Sequence, residues 1–267
     1  GDTGTGNTIW QEFTKKALNE WLLPGGNLVL VHPPGWRKPN TDRGKFTKMF
    51  DLMVKENQLV YLEIHGIKDG QKMFNCGTRY DWYHIEKKKS YKKTIIIDEQ
   101  NVRNEMDLSK LEWLPNSKLV EINNLLAKKD EPKCPIMQSM SAYEPRKKWM
   151  SATQTAEFKY PCVHSTPKNG TRYMYSKVND RGHFGIAKVI FGDSGIYNPI
   201  IDMDGKYGMT QHAMAIEVAS IEEATEVCKV LESEAFDKII QSCLYSSFAI
   251  DWNIFKDLKK DFWKEIL

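Results

Sequence analysis

One apolar run, closed at both ends by chain-breaking pairs, limits the fold more than any other stretch: Gly25-Gly26-Asn27-Leu28-Val29-Leu30-Val31-His32-Pro33-Pro34-Gly35-Trp36. The glycines before it and the prolines after it allow only a short element. A run with no polar side reads as a parallel-sheet strand covered on both faces. Upstream, Trp10, Phe13, Ala17, Leu18, Trp21 and Leu22 fall on one face of a helix that Pro24-Gly25-Gly26 stops. Downstream, Phe46, Met49, Phe50, Met53 and Val54 repeat at helical spacing, and Leu59-Val60-Tyr61-Leu62-Glu63-Ile64-His65 reads as a second strand. Helix, strand, helix, strand is the order of a crossover unit in a parallel α/β sheet.

The segments around this unit suggest where ligands meet it. Gly1 to Thr8 reads as a loop feeding the first helix, with Asn7 or Thr8 as its N-cap. His32-Pro33-Pro34-Gly35-Trp36 leaves the sheet at a strand's carboxyl end, where open α/β sheets bind ligands, so Trp36 is expected at a rim or as a lid. The polar, glycine-punctuated segment 66–77 reads as a loop whose apolar exception is Met73-Phe74. Phe74 either folds back onto the core or offers a stacking face. Thr78 to Glu86 and Tyr91 to Asp98 are rich in aromatic and β-branched residues, and the lysine-rich link between them predicts a hairpin.

Leu114-Pro115-Asn116 reads as a joint, dividing the chain into regions 1–116 and 117–267. With 267 residues and 41% apolar content, two such domains can each bury a core. In the second region, Phe158 to His164 and Thr171 to Ser176 alternate as strands around the turn Pro167-Lys168-Asn169-Gly170. Lys188-Val189-Ile190-Phe191 reads as a buried strand, and Ile221 to Glu232 and Phe236 to Cys243 as helices. The five cysteines are odd in number and widely spaced, and the histidines do not cluster beside them, so neither a metal site nor a disulfide framework is expected. That usage fits an intracellular setting. No signal peptide or bilayer-length apolar run is evident, so no membrane partner is expected.

Charge is unevenly spread. From Glu144 to Lys188, nine Lys/Arg face three Asp/Glu, whereas from Ala219 to Leu267, six face ten. A basic middle beside an acidic tail suits a polyanion partner for the middle.

The order of these motifs resembles the second half of a gamma-class DNA adenine N6-methyltransferase of the kind found in type II restriction-modification systems and in viruses. The resemblance runs through Gly4-Thr5-Gly6-Asn7-Thr8-Ile9-Trp10, the strand Gly25 to Pro33, the hairpin 78–98, Gly205-Lys206-Tyr207-Gly208-Met209-Thr210, Glu222-Glu223-Ala224 and Leu231 to Phe236. It implies an α/β fold: a partial Rossmann-like methyltransferase sheet with an antiparallel hairpin over 1–116, then an α+β DNA target-recognition domain over 117–267. It implies a base-flipping transfer that uses S-adenosyl-L-methionine, with double-stranded DNA as partner. Phe74 matches the aromatic that stacks on the flipped adenine, a platform that offsets part of the unstacking cost.

For the recognition domain the resemblance makes Lys159, Lys168, Arg172, Lys177, Arg181 and Lys188 phosphate contacts, and Arg172 or Gln211 base readers. The glycine-rich cofactor loop and the catalytic tetrapeptide that such enzymes place upstream have no counterpart here. His32-Pro33-Pro34-Gly35 is no substitute, because its fourth position lacks a ring to stack on a base. The start without methionine is expected to be processed or truncated, with a complementing amino-terminal half supplying the missing parts. The competing expectation is a noncatalytic DNA-binding module or specificity subunit. A restriction nuclease ranks below both, since Asp98-Glu99 has no lysine in the expected strand pattern.

Overall fold

The computed structural model describes residues 9–39, 46–245 and 249–267. The loop and N-cap expected over Gly1–Thr8 lie outside them. The chain is mixed α/β and divides into two compact units, Gly1–Leu119 and Val120–Leu267.

In the first unit, α1 (Trp10–Lys16) continues into a wider π turn over Ala17–Trp21, followed by β1 (Asn27–His32), α2 (Met49–Val54), β2 (Gln58–His65), α3 (Ile67–Phe74), β3 (Tyr80–Glu86), β4 (Thr94–Ile97) and β5 (Arg103–Met106). The sheet order is β1-β3-β2-β4-β5. β3 runs antiparallel to both β1 and β2, while β2 and β4 are parallel. The expected crossover unit is therefore opened: β1 and β2 point the same way, but β3 lies between them.

The expected hairpin is also replaced. β3 pairs with β2, and β4 lies on the far side of β2, with the connecting segment held by the side chain of Gln58. Its Oε1 accepts from the amides of Tyr91 and Lys92, both at 2.9 Å, and Thr94 Oγ1 donates to Leu59 O at 2.7 Å. These bonds carry the chain across the end of β2 before β4 begins.

Leu62, Ile64, Tyr83, Ile85 and Ile96 form a buried core with Leu18, Phe50 and Met53 from the helical segments. Strand alternation places Val29, Val31, Tyr61, Glu63, Trp82, His84, Ile95 and Ile97 on the opposite face, where all are half-buried or exposed. Covering on both faces was expected of β1; instead Val29 and Val31 are 52% and 46% exposed. The expected single apolar face of the first helix splits as well. Gln11, Thr14, Ala17 and Leu18 are buried, while Phe13 and Trp21 face outward and pack edge to face at 6.0 Å. The π turn widens the spiral, so a 3.6-residue count misplaces Trp21.

Trp36 is neither rim nor lid. It is buried, and its indole donates to Asp81 Oδ2 at 2.7 Å. Arg37 beside it, also buried, forks onto both Asp81 oxygens (2.8 and 3.0 Å) and donates to Leu114 O, Pro115 O and Asn116 Oδ1. The segment expected to be a free joint is thus clasped by a charged side chain.

α4 (Leu119–Leu125) begins on the last residue of the first unit, and the second unit goes on through β6 (Ile136–Met137), β7 (Met150–Ser151), β8 (Tyr160–Ser165), β9 (Arg172–Ser176), β10 (Lys188–Gly192), β11 (Ile200–Asp202), β12 (Gly208–Met209), β13 (Ala213–Glu217), α5 (Ile221–Leu231), α6 (Glu234–Ser242) and α7 (Asn253–Asp257). Two four-stranded sheets result, ordered β11-β10-β13-β6 and β12-β8-β9-β7. Val189, Phe191, Met214 and Ile216 pack with Phe236, Phe255, Phe262 and Trp263. From the other face, Ile190, Ala213 and Ala215 meet Val163 and Met209 of the second sheet. A layered α+β unit follows, covered on both sides of its central strands. Ser220 and Ser233 cap α5 and α6 by accepting from the amides of Glu223 and Phe236.

Candidate nucleic-acid interface

The β8-β9 hairpin organises the basic side chains. Its register pairs Tyr160 with Ser176 at one end and Ser165 with Arg172 at the other, and Gly170 closes the turn at φ +106°. With about 3.4 Å per residue, the two ends stand roughly 17 Å apart.

At the open end, basic groups lie over aromatic rings. Lys159 Nζ sits 5.2 Å from the Tyr160 ring, and Lys177 Nζ 5.8 Å from Phe158. The Arg181 guanidinium lies 4.2 Å above Trp149, and Lys147 approaches the same ring at 5.9 Å. The Lys177 amide donates to Trp149 O at 3.0 Å, tying the two strands of this cluster together. Interleaved cations and rings suit a nucleic-acid strand, because phosphates take the charges and bases take the ring faces.

At the turn end, Lys168 lies 4.9 Å from the Tyr197 ring, and Arg172 is exposed. His164 and His212 meet edge to face at 5.3 Å, and His164 Nδ1 is 3.0 Å from Thr210 Oγ1. Burial first, then the neighbouring His212 and Arg172, lower the His164 pKa. Asp193 holds His212 Nδ1 at 3.1 Å. Gln211 is half-buried beside them; its Oε1 is enclosed without a hydrogen-bond partner, and its backbone oxygen accepts from Gln138.

Lys188 does not belong to this surface. It is fully buried, its ammonium 2.7 Å from Asp202 Oδ2 and donating also to Ile186 O, so it cannot reach a phosphate. Asp202 accepts further bonds from the amides of Lys206 and Tyr207. A lysine opening an apolar run reads as surface only if its strand is an edge; β10 lies between β11 and β13. The remaining five basic residues form two clusters at the ends of one hairpin, not one continuous row. Tyr197, His164 and His212 beside these cations were not expected, and Arg146-Lys147-Lys148-Trp149 was read as a basic and aromatic cluster more typical of a linker face than of a clamp. The adjacency of Lys148 to Trp149 and the run Phe158-Lys159-Tyr160 held the available signal.

In the first unit, Phe74 ends α3, a helix where a loop was expected. Gly66 leads into it, its amide donating to the Asp69 carboxylate at 3.1 Å. Gly70 in its interior permits the packing, since a Cβ there would stand 1.9 Å from Thr78 O. Phe74 is 49% exposed and meets Tyr80 edge to face at 5.0 Å, while Tyr80 stacks on His65 at 4.3 Å. It is therefore a supported ring with an accessible face.

The segment His32-Pro33-Pro34-Gly35 is closed to an extruded base. His32 is buried, stacked on Trp10 at 3.9 Å, with its ring nitrogens taken by Pro33 O (2.9 Å) and Tyr83 Oη (2.8 Å). Beside Gly35 the Phe46 ring would stand 2.8 Å from an added Cβ. Among the described residues, no helix is long and apolar enough to cross a membrane. Comparison of the chain with protein-family models and with curated proteins returns no match.

Proposed function

We propose that this chain is part of a site-specific DNA adenine N6-methyltransferase, contributing one portion of the catalytic sheet and the domain that grips the duplex. The observation that carries this reading is the state of β1. It pairs with β3 alone among the described residues, bears no charge or proline over Asn27–His32, and shows two valines about half exposed on a face without a covering layer. The opposite edge strand, β5, is by contrast protected by Arg103 and Glu105. Edges left uncharged and flat invite pairing, and soluble proteins rarely leave them bare. A partner that extends the sheet past β1 and covers its open face would satisfy both.

On this reading the partner is the complementing amino-terminal portion. It carries the cofactor loop and the catalytic tetrapeptide. Phe74 provides a ring for the extruded adenine, and the basic-aromatic clusters of the second unit hold the duplex. A second reading, a noncatalytic DNA-binding module, is favoured by one observation: both clusters lie within a unit that has its own closed core.

The test pairs this chain with a polypeptide carrying the cofactor loop and a Pro-Pro-aromatic tetrapeptide, and follows tritiated methyl transfer from S-adenosylmethionine to duplex DNA. Transfer to adenine, reduced tenfold or more by Phe74→Ala, supports the enzyme. Salt-sensitive duplex binding without transfer under any pairing supports the module. Absence of duplex binding refutes both.

A further inference from the structure

Among the basic residues of the second unit, Arg181 is the one whose position is built from several directions. Its backbone amide donates to Tyr143 Oη at 3.0 Å, and that hydroxyl donates onward to Gly182 O at 3.2 Å. Tyr143 itself is completely buried. Beneath the guanidinium, Trp149 is fixed by its own indole, which donates to Ala142 O at 2.9 Å. The loop that carries Arg181 turns through three left-handed residues, Gly182 (φ +84°), His183 (φ +72°) and Gly185 (φ +74°). His183 anchors it from inside: its ring is buried and its Nδ1 accepts from the Met209 amide at 3.3 Å. Histidine is among the few non-glycine residues that adopt this conformation readily, and its buried, hydrogen-bonded ring ties the loop to β12.

A guanidinium held 4.2 Å over a pinned indole gives up less freedom on meeting a ligand than a free one does. Its nitrogen edge is open, since among the described residues its terminal nitrogens make no hydrogen bond. Such an edge matches a pair of acceptors in one plane, which a phosphate and a guanine Hoogsteen edge both offer. The neighbouring residue decides between them. Asp180 Oδ1 stands 3.8 Å from Arg181 Nε and is well exposed. A carboxylate there repels a phosphate, whereas it can accept from the N4 amino group of the cytosine paired with that guanine. Arg172 offers a contrast, being exposed with no ring beneath it among the described residues.

We infer that Arg181, stacked on Trp149 and flanked by Asp180, is a sequence-reading residue that recognises a G·C base pair. The lysines around it hold the backbone. This rests on the DNA-binding reading above and adds to it the identity of one base pair in the site.

The experiment selects bound sites from a randomised duplex library, using the whole chain and its Arg181→Lys, Arg181→Ala and Lys168→Ala variants. Circular dichroism and thermal melting confirm that each variant is folded. Wild type should enrich sites with a G·C pair at one fixed position. Arg181→Lys, which keeps the charge but not the plane, should reduce that preference on the order of ten- to a hundredfold. It should leave the salt dependence unchanged, and Lys168→Ala should weaken all sequences alike.

The inference is overturned if Arg181→Ala lowers affinity uniformly with a smaller salt slope and an intact base preference, the mark of a phosphate contact. It is equally overturned if the Arg181 variants behave as wild type. Failure of wild type to bind any duplex would instead remove the DNA-binding reading itself.

Discussion

Every residue of β10, in the second unit, is buried, whereas β1, in the first, alternates between a half-buried side and valines exposed to about half their area. Both strands are short and mostly apolar. What separates them is the layers around them. β10 lies between two neighbours, with helices on one face and a second sheet on the other. Among the described residues β1 has one neighbour, and its sheet is covered from the side of α1 and α2. An apolar strand therefore states that something must cover it, without stating that the covering belongs to the same chain.

The largest expected effects test whether the first unit is simply a weaker fold. Each unit holds a buried ion pair, Arg37–Asp81 and Lys188–Asp202. Asp81→Ala and Asp202→Ala each strand a buried cation, and each should destabilise its unit by about 3–5 kcal/mol in chemical denaturation. A loss confined to the second unit would mean that the first lacks a consolidated interior, and would break the comparison. Next come the strands themselves. Ile190→Ala, between two layers, should cost about 2–5 kcal/mol, whereas Val29→Ala should cost less than about 0.5 kcal/mol. Equal costs would show that β1 is covered after all.

A pH effect should appear in the second unit. Burial first, and the Lys188 charge second, lower the His183 pKa from 6.5 to about 4, so the folded unit holds this ring neutral. The unfolded chain binds the extra proton between those values. Stability is therefore full above about pH 6.5 and falls as the pH drops toward 4, by up to about 3 kcal/mol. His183→Gln should flatten that slope while the first unit's transition stays unchanged. The smallest effect is Val31→Lys, which should shift stability by less than about 0.5 kcal/mol yet reduce binding of a hydrophobic dye to the open face.

The parts of the fold legible in the sequence are those fixed by local chemistry. The strands of the β8-β9 hairpin, the helix α5 and the buried character of β10 all follow from alternation, turn residues and an acidic first turn. Pairing across the first sheet did not follow, because the segment leading to β4 is held by Gln58, whose side chain reaches the amides of Tyr91 and Lys92 from far along the chain. α3 was hidden by its glycines, and only the close approach of Gly70 to Thr78 explains their presence there. At the candidate interface, Lys159, Lys168, Arg172, Lys177 and Arg181 were legible as exposed cations, but Lys188 has the same composition around it and is buried. The Trp149 platform under Arg181 is set by a loop geometry that no spacing rule encodes.

Amide hydrogen exchange on the isolated chain tests the central claim directly. Alternate amides of Asn27–His32, those not bonded to β3, should exchange within seconds while those of Lys188–Gly192 stay protected, and adding the complementing polypeptide should slow the former selectively. Protection of every β1 amide in the isolated, monomeric chain would contradict the account, since the sheet would then already be complete.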